Sequence, residues 1–212
     1  MTEYEALEHL LSPGRRERLR AVLENRVSNV TVVLENLHKD YNVSAVLRTC
    51  ESLGIQDVHV IPQPGDGRVY RSVTQGCHHW LSIHRHPDVT SCFASLRHAG
   101  FRILAGVPCE GSRSLEVLDC TGKVALVFSN ELGGAGREVL DQVDGFFTVT
   151  MTGFSRSLNV SVAAGIVIHH VLETKRRGGD LERVPPREAE SIMRQWVRKS
   201  VKGADVIIEE LG

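Results

Sequence analysis

The stretch 153-GFSRSLNVSVAAGIVIHHVLE-173 holds two kinds of chemistry in one segment. Its second half sets Val160, Ala163, Ala164, Val167, Ile168, Val171 and Leu172 at i, i+3, i+4, i+7, i+8, i+11 and i+12, the wide apolar stripe of a buried helix. Its first half crowds Ser155, Arg156, Ser157, Asn159 and Ser161 into the mouth of that helix. One polar side chain is enough for an N-cap, so capping alone does not account for five. "GFSRS" resembles a nucleophile elbow, but Ser157 stands where that turn needs its last glycine for close packing, which argues against a serine hydrolase.

Outward from this helix the chain alternates. Strands are expected at 30–36, 57–62, 80–84, 101–107, 124–129 and 146–150, several of them nearly continuous in apolar residues as in sheets covered on both faces. Helices are expected at 15–27, 43–53, 88–99, 136–144 and 157–176, with Gly54 and Gly100 as stops, and a last helix in "AESIMRQWVRKSV". The pattern predicts an α/β fold, a mainly parallel sheet with helices on both faces. It divides into a helical extension over 1–27, a core over 28–178 and a second helical extension over 179–212.

With 42% apolar and 24% charged residues, the 212-residue chain is that of a globular protein with a sizeable core. It has no apolar run long enough for a membrane helix, an acidic N-terminus unlike an export signal, and five cysteines without a CxxC pair. These features predict reduced thiols in a cytoplasmic protein with no membrane partner. The net charge of -1 conceals basic ends. Residues 14–26 carry five arginines against two glutamates, and residues 174–202 carry nine Lys/Arg against four Asp/Glu. Such ends suit a nucleic-acid backbone; they are equally the solvated faces of ordinary helices.

In parallel sheets ligands bind beyond the carboxyl ends of the strands. Two further polar segments lie there. In "ENLHKDYNVSAVLRTCESLG", Asn42 is placed to cap a helix and Arg48 sits on the flank of its apolar face. In "VALVFSNELGGAGREVL", a strand runs through Ser129 and Glu131 into Gly133, Gly134 and Gly136. It lacks the Lys-Ser/Thr of a phosphate loop and the GxGxxG of a dinucleotide site. The histidines of "CHHW" and "HRHP" match no structural zinc spacing, so no metal is expected.

In this order and near these separations, the three segments resemble the signature of the SpoU/TrmH branch of the SPOUT RNA methyltransferases. "NVSAVLRTCESLG" is similar to the first motif, "FSNELGG" to the second and "VTMTGFSRSLNVSVAAGIVI" to the third and most specific. "TQGCHHWLSIHRHPD" is similar to the segment between the first two. Ser129 departs from the usual first glycine of the second motif. The resemblance covers roughly 28–175 and implies a deep C-terminal trefoil knot, against the rule that chains do not thread their own loops. It implies an S-adenosylmethionine cup made of "AGVPCEG", "FSNELGG" and "VTMTGFSRSLN", and a homodimer with the active site at the subunit interface.

By the same resemblance, Gly106, Ser129, Glu131, Val149, Met151, Ser157 and Leu158 hold the cofactor. Arg48, Asn42, Glu131, Ser157 and Asn159 carry the transfer of a methyl group to a ribose 2′-oxygen. A guanidinium is essentially always charged, so Arg48 suits a phosphate clamp better than a base. The terminal helices resemble the extensions of the TrmH members that modify the D-loop guanosine at tRNA position 18. Arg15, Arg16, Arg18, Arg20, Arg194, Arg198 and Lys199 are then expected to grip tRNA. The alternatives are ribosomal RNA, another tRNA ribose, or an RNA-binding scaffold without turnover.

Overall fold

The computed structural model describes residues 2–63, 76–109, 111–130, 133–155 and 157–209. They form two compact units: the residues up to Val27 together with those from Arg183 onward, and Ser28–Glu182. The two terminal segments expected as separate extensions thus fold together.

The larger unit carries β1 (Val30–Glu35), α3 (Asp40–Ser52), β2 (Asp57–Ile61), β3 (Ser82–Arg85), α4 (Val89–His98), β4 (Arg102–Gly106), β5 (Arg113–Ser114), β6 (Val124–Phe128), α5 (Arg137–Leu140), β7 (Gly145–Thr148) and α6 (Val160–Gly178). Two earlier helices, α1 (Glu3–His9) and α2 (Pro13–Leu23), belong to the terminal unit. The seven strands lie in the order β3-β2-β1-β6-β4-β7-β5, and each described pairing is parallel. Every residue of β1 and β6 is buried, as strands covered on both faces must be. One face packs Val33, Ile103, Ala105, Ala125 and Val127 under Val89, Cys92, Phe93 and Leu96 of α4. By strand alternation the other face presents Leu34, Leu104, Leu126 and Phe128, and there α6 lies on β6 and packs against α3.

Apart from β5, which is not expected from sequence, the elements of this unit follow the expected ones with corrected bounds. The helix expected at 136–144 ends at Leu140, because Asp144 must straighten to feed β7 beside β4. The Asp144 N–H donates to the Ile103 carbonyl at 2.8 Å, and its carboxylate accepts the Ile103 N–H at 2.7 Å. The helix α6 begins at Val160, three residues later than expected, because Asn159 caps it. The core runs on to Glu182. Asn29 donates through Nδ2 to the Asp180 carbonyl at 2.6 Å and accepts the Glu182 N–H at 3.1 Å.

The terminal unit holds α1 (Glu3–His9), α2 (Pro13–Leu23), α7 (Pro186–Ser200) and α8 (Ala204–Glu209). No helix is expected over α1 from apolar periodicity, although Thr2 and Glu5 make a capping box. Expected to reach residue 27, α2 stops at Leu23. Beyond it the Arg26 carbonyl accepts the Val184 N–H and Val27 bridges Arg183. Arg26 is fully buried, its guanidinium 5.2 Å from the centre of the Trp196 ring, a cation–π contact that takes this arginine off the surface.

A buried ion pair ties the end of α6 to the entrance of β6. The Lys175 side chain is 1% exposed; its Nζ donates to the Gly122 carbonyl and, at 2.7 Å, to Asp180, which is 33% exposed. The two partners are unequal. Without Asp180 a buried ammonium keeps only one carbonyl, whereas without Lys175 the carboxylate turns to water. Asp180→Ala is therefore expected to destabilise by about 3 kcal/mol, near the low end for orphaning a buried charge. Lys175→Met, which keeps the packing volume, is expected to cost less than half of that, and urea unfolding of both variants checks the order.

Candidate active site

The cup is built at the carboxyl ends of β4, β6 and β7. A cavity of about 450 Å³ opens there, lined by Gly106, Ser129, Val149, Met151, Ser157, Leu158, Asn42 and Asn159. Six of the seven expected cofactor residues thus face one space, as do three of the five expected reaction residues. Glu131, expected in both roles, lies outside the described residues.

Each wall has a local cause. After β4 the chain folds back on itself: Val107 N–H donates to Phe147 O, and the Ser112 hydroxyl donates to Val107 O. Gly106 is fixed by close approach. A Cβ there would come within 3.1 Å of the Phe147 ring, itself set edge-on to Phe128. After β6, Asn130 organises the loop. Its carbonyl accepts the Gly134 N–H at 3.0 Å and its side-chain oxygen accepts the Gly133 N–H at 3.3 Å, a turn that needs Gly134 at φ 69°. The third wall is the mouth of α6. Asn159 Oδ1 accepts the Ser161 N–H at 2.9 Å as the N-cap, while its Nδ2 donates to Asn42 Oδ1 at 3.1 Å. Ser161 Oγ bonds to the same Asn159 oxygen at 2.6 Å.

Three of the five polar residues at the mouth of α6 thereby find a place; Arg156 lies outside the described residues. Asn159 caps the helix, Ser161 braces the cap, Ser157 faces the cavity, and Val160, Ala163 and Val167 of the apolar stripe form part of its floor. Asn42 is not the cap of α3, as expected from sequence; Lys39 holds that position, and Asn42 is buried inside the first turn. Its side chain is spent on Asn159 rather than on its own helix end.

Arg48 does not line this cavity. Six residues beyond Asn42 on an ideal helix is about 600° of rotation, which puts it on another face. It is exposed and lines a neighbouring surface depression of about 960 Å³ with Ala45, Leu53, Glu116, His169 and Glu173. Val149 lines both. On the same side of α6, Val162 and Ile166 remain 50% and 42% exposed.

Phe128 and Asn130, in the expected "FSNELGG" segment, also line the cup, as do Lys39, Ala135 and Phe147, which lie outside the three expected segments. Phe147 reads only as a strand residue, and nothing in its spacing marks it as an end that faces a cavity. Just beneath the loop, burial raises the carboxyl pKa of Glu35, opposed by the Ser129 hydroxyl and the Asn130 N–H. The serine in place of glycine thus sits beside a carboxyl group.

In the terminal unit the expected RNA-binding cations stand on α2 and α7. Arg15, Arg18, Arg20, Arg194, Arg198 and Lys199 are exposed and Arg16 is half-buried. Arg20 pairs with Glu8, Arg194 with Glu190 and Arg198 with Asp205. Exposed pairs of this kind are weak enough to exchange for phosphate.

Residues 29–169 match the model of the SpoU rRNA methylase family. The chain belongs to that family. It is 34% identical over 188 residues to the tRNA (guanosine(18)-2′-O)-methyltransferase of Thermus thermophilus, spanning 88% of this chain and 97% of that protein. The crystal structure of the Aquifex aeolicus TrmH/SpoU tRNA modifying enzyme superposes with a TM-score of 0.81 at 28% identity, covering 93% of this chain and 99% of that one. The SpoU methyltransferase AviRb of Streptomyces viridochromogenes, solved with AdoMet, shares the fold at 19% identity, with a TM-score of 0.64 over 72% of this chain and 63% of its own.

The cup fits the cofactor of a SpoU enzyme. Its volume is in the range of small-molecule sites, its floor is apolar, its rim carries amide and hydroxyl groups, and Gly106 lets the Phe147 ring pack close beside the cavity. Gly106→Ala is expected to push the Phe147 ring into the cavity that it lines. Equilibrium dialysis should show roughly tenfold weaker S-adenosylmethionine binding, with the unfolding midpoint little changed.

Proposed function

We propose that this chain methylates the ribose 2′-oxygen of the D-loop guanosine at position 18 of tRNA, using S-adenosylmethionine, as a cytoplasmic enzyme. The observation that carries the reading is the joining of Asn42 and Asn159 at the rim of a cavity lined by the six described cofactor candidates. The near full-length similarity to the Thermus enzyme supports the choice of nucleotide. The free state of all five cysteines is in keeping with a reducing compartment.

When bound, S-adenosylmethionine supplies a methyl group on a positively charged sulfur. The residues of the chain do the rest. Backbone groups around Gly106, Val149, Met151 and Leu158 hold the adenosine, and the apolar floor keeps water out. Ser157 and Asn159 face the ribose and its phosphate; Asn42 fixes the side-chain orientation of Asn159. Holding the reactants in line is worth up to roughly 7–11 kcal/mol of barrier. Arg48 grips the phosphate next to the reacting hydroxyl in a forked contact, and the phosphate oxygen takes the proton.

Arg48 lies beside the cup rather than in it, so a second copy completes the site. We infer a homodimer packed through the exposed side of α3 and α6, where Val162 and Ile166 are uncovered, so that an arginine and a cup meet one ribose at the interface. We also infer that the core is tied as a trefoil knot. The interleaved order of the last strands supports it: β4 is flanked by the later β6 and β7, with the earlier β5 outside β7. Arg15, Arg16, Arg18, Arg20, Arg194, Arg198 and Lys199 grip the tRNA backbone.

Incubation with methyl-labelled S-adenosylmethionine and separated tRNA and ribosomal RNA, followed by alkaline hydrolysis, tests the substrate. Label is expected in an alkali-resistant dinucleotide starting at guanosine 18 of tRNA; label confined to ribosomal RNA would favour the alternative. Arg48→Ala is expected to lower turnover by about 10²–10³-fold or more with cofactor affinity unchanged, because the residue does not line the cup. Changing Arg15, Arg16, Arg18 and Lys199 to Gln is expected to raise the KM for tRNA strongly and leave the cofactor KM alone. It should also flatten the salt dependence of binding by about one unit of log–log slope for each phosphate no longer gripped.

A further inference from the structure

We propose that His59, His86 and Cys92 form a binding site for a divalent transition metal of the zinc type, separate from the cup. The three side chains come from three places: mid-strand in β2, the residue following β3, and the first turn of α4. His59 Nδ1 and His86 Nε2 lie 2.9 Å apart, and one ring nitrogen of each histidine with Cys92 Sγ all fall within 4.8 Å of one another. His59 and Cys92 are buried and His86 is half-buried.

The surroundings fit a cation better than an ordinary core contact. Two neutral imidazoles meeting nitrogen to nitrogen can share only one proton, so a ring lone pair already points into the cluster. A metal in place of that proton takes the lone pairs of both rings. The set of two imidazole nitrogens and one thiolate suits zinc or cobalt(II) and does not suit magnesium or calcium, which require oxygen. Three protein ligands leave a fourth position for water.

A second layer is present. His84, the register partner of His59 on β3, stacks on its ring at 4.8 Å and is itself held by Asp57 at 2.7 Å. Asp57 and Asp88 add negative charge beside the cluster; Asp88 also caps α4 through the Ser91 N–H at 2.7 Å. Such outer partners orient ligating rings and raise affinity.

Binding balances without a redox partner. The metal–sulfur bond forms as the Cys92 thiol gives its proton to solvent. The proton between the rings leaves one nitrogen while another is taken up on that ring's second nitrogen. One proton is released for each ion bound. None of the three ligands lines the cup or the Arg48 depression. The metal pins α4 to the two strands at one edge of the sheet and takes no part in methyl transfer. No sequence motif announces it, because the ligands stand 27 and 6 residues apart.

The test uses the full chain, stripped with a chelator and titrated with cobalt(II), then zinc. One equivalent of cobalt is expected to bind, giving visible d–d bands and a near-ultraviolet thiolate-to-cobalt band, both bleached by zinc. Zinc should also raise the unfolding midpoint. Cys92→Ser is expected to lose the thiolate band, and His86→Gln to weaken binding at least about tenfold; both should keep cofactor binding. His78→Gln, outside the cluster, should change nothing. Should Cys92→Ser not fold, His86→Gln, at the half-buried position, decides alone. Absence of binding at about 100 µM cobalt, or a thiolate band that survives the Cys92 change, overturns the proposal. Equal cobalt affinity in His86→Gln and the parent chain overturns it too.

Discussion

Asn159 cannot cap α6 and reach Asn42 unless the first turn of that helix sits directly against the first turn of α3. Its oxygen is committed to the Ser161 N–H and hydroxyl, and its amide nitrogen to Asn42 Oδ1, so the side chain has no rotational freedom left. Asn42 is buried, and a buried amide left without its partner costs about 1–3 kcal/mol. The two helix ends are therefore locked together across a separation of 117 residues in the chain. The third wall of the cup follows from that lock. Ser157 and Leu158 precede the cap and must cross the carboxyl ends of the sheet to reach it.

The legible part of the fold is the part governed by period. Continuous apolar runs mark β1 and β6, and the stripe from Val160 to Leu172 marks α6. The illegible part is governed by long-range hydrogen bonds. No local signal in 136–144 says that Asp144 must pair with Ile103, and none near residue 178 says that Asn29 holds the chain to Glu182. The exception is the Thr2–Glu5 capping box of α1, a local pattern fully present in the sequence but without an apolar stripe to draw attention to it. The site divides in the same way. Resemblance picks out residues such as Ser157 and Met151, while Phe147 and Lys39 enter the cup only through the folded geometry.

Asn42 and Arg48 illustrate how a motif read as one unit separates in space. A linear signature places them six residues apart and invites one role for both. Helical rotation sends one into the cup and the other to the neighbouring depression. On the reading proposed for Arg48, such a separation has a reason, since the sulfonium and the guanidinium are both positive. At about 4 Å in a medium of effective dielectric near 20, two like charges repel by about 4 kcal/mol. In the proposed complex the substrate phosphate lies between the two cations and offsets that repulsion.

The polar interior of the large unit has a common logic. Lys175 with Asp180, Asn29 with Asp180 and Glu182, and Asn42 with Asn159 each join segments remote in sequence or in direction, and each involves at least one buried polar side chain. Apolar packing alone would tolerate a helix shifted by a residue, because it is non-directional. A buried amide or ammonium does not, because a shift strands it without a partner. For a site made of loops at the ends of parallel strands and one helix, register matters more than total stability. An offset of one residue in α6 would rotate Asn159 by about 100° and remove it from both Asn42 and the cup. The buried polar groups thus convert a sheet that would be stable in several arrangements into one that has a single cup.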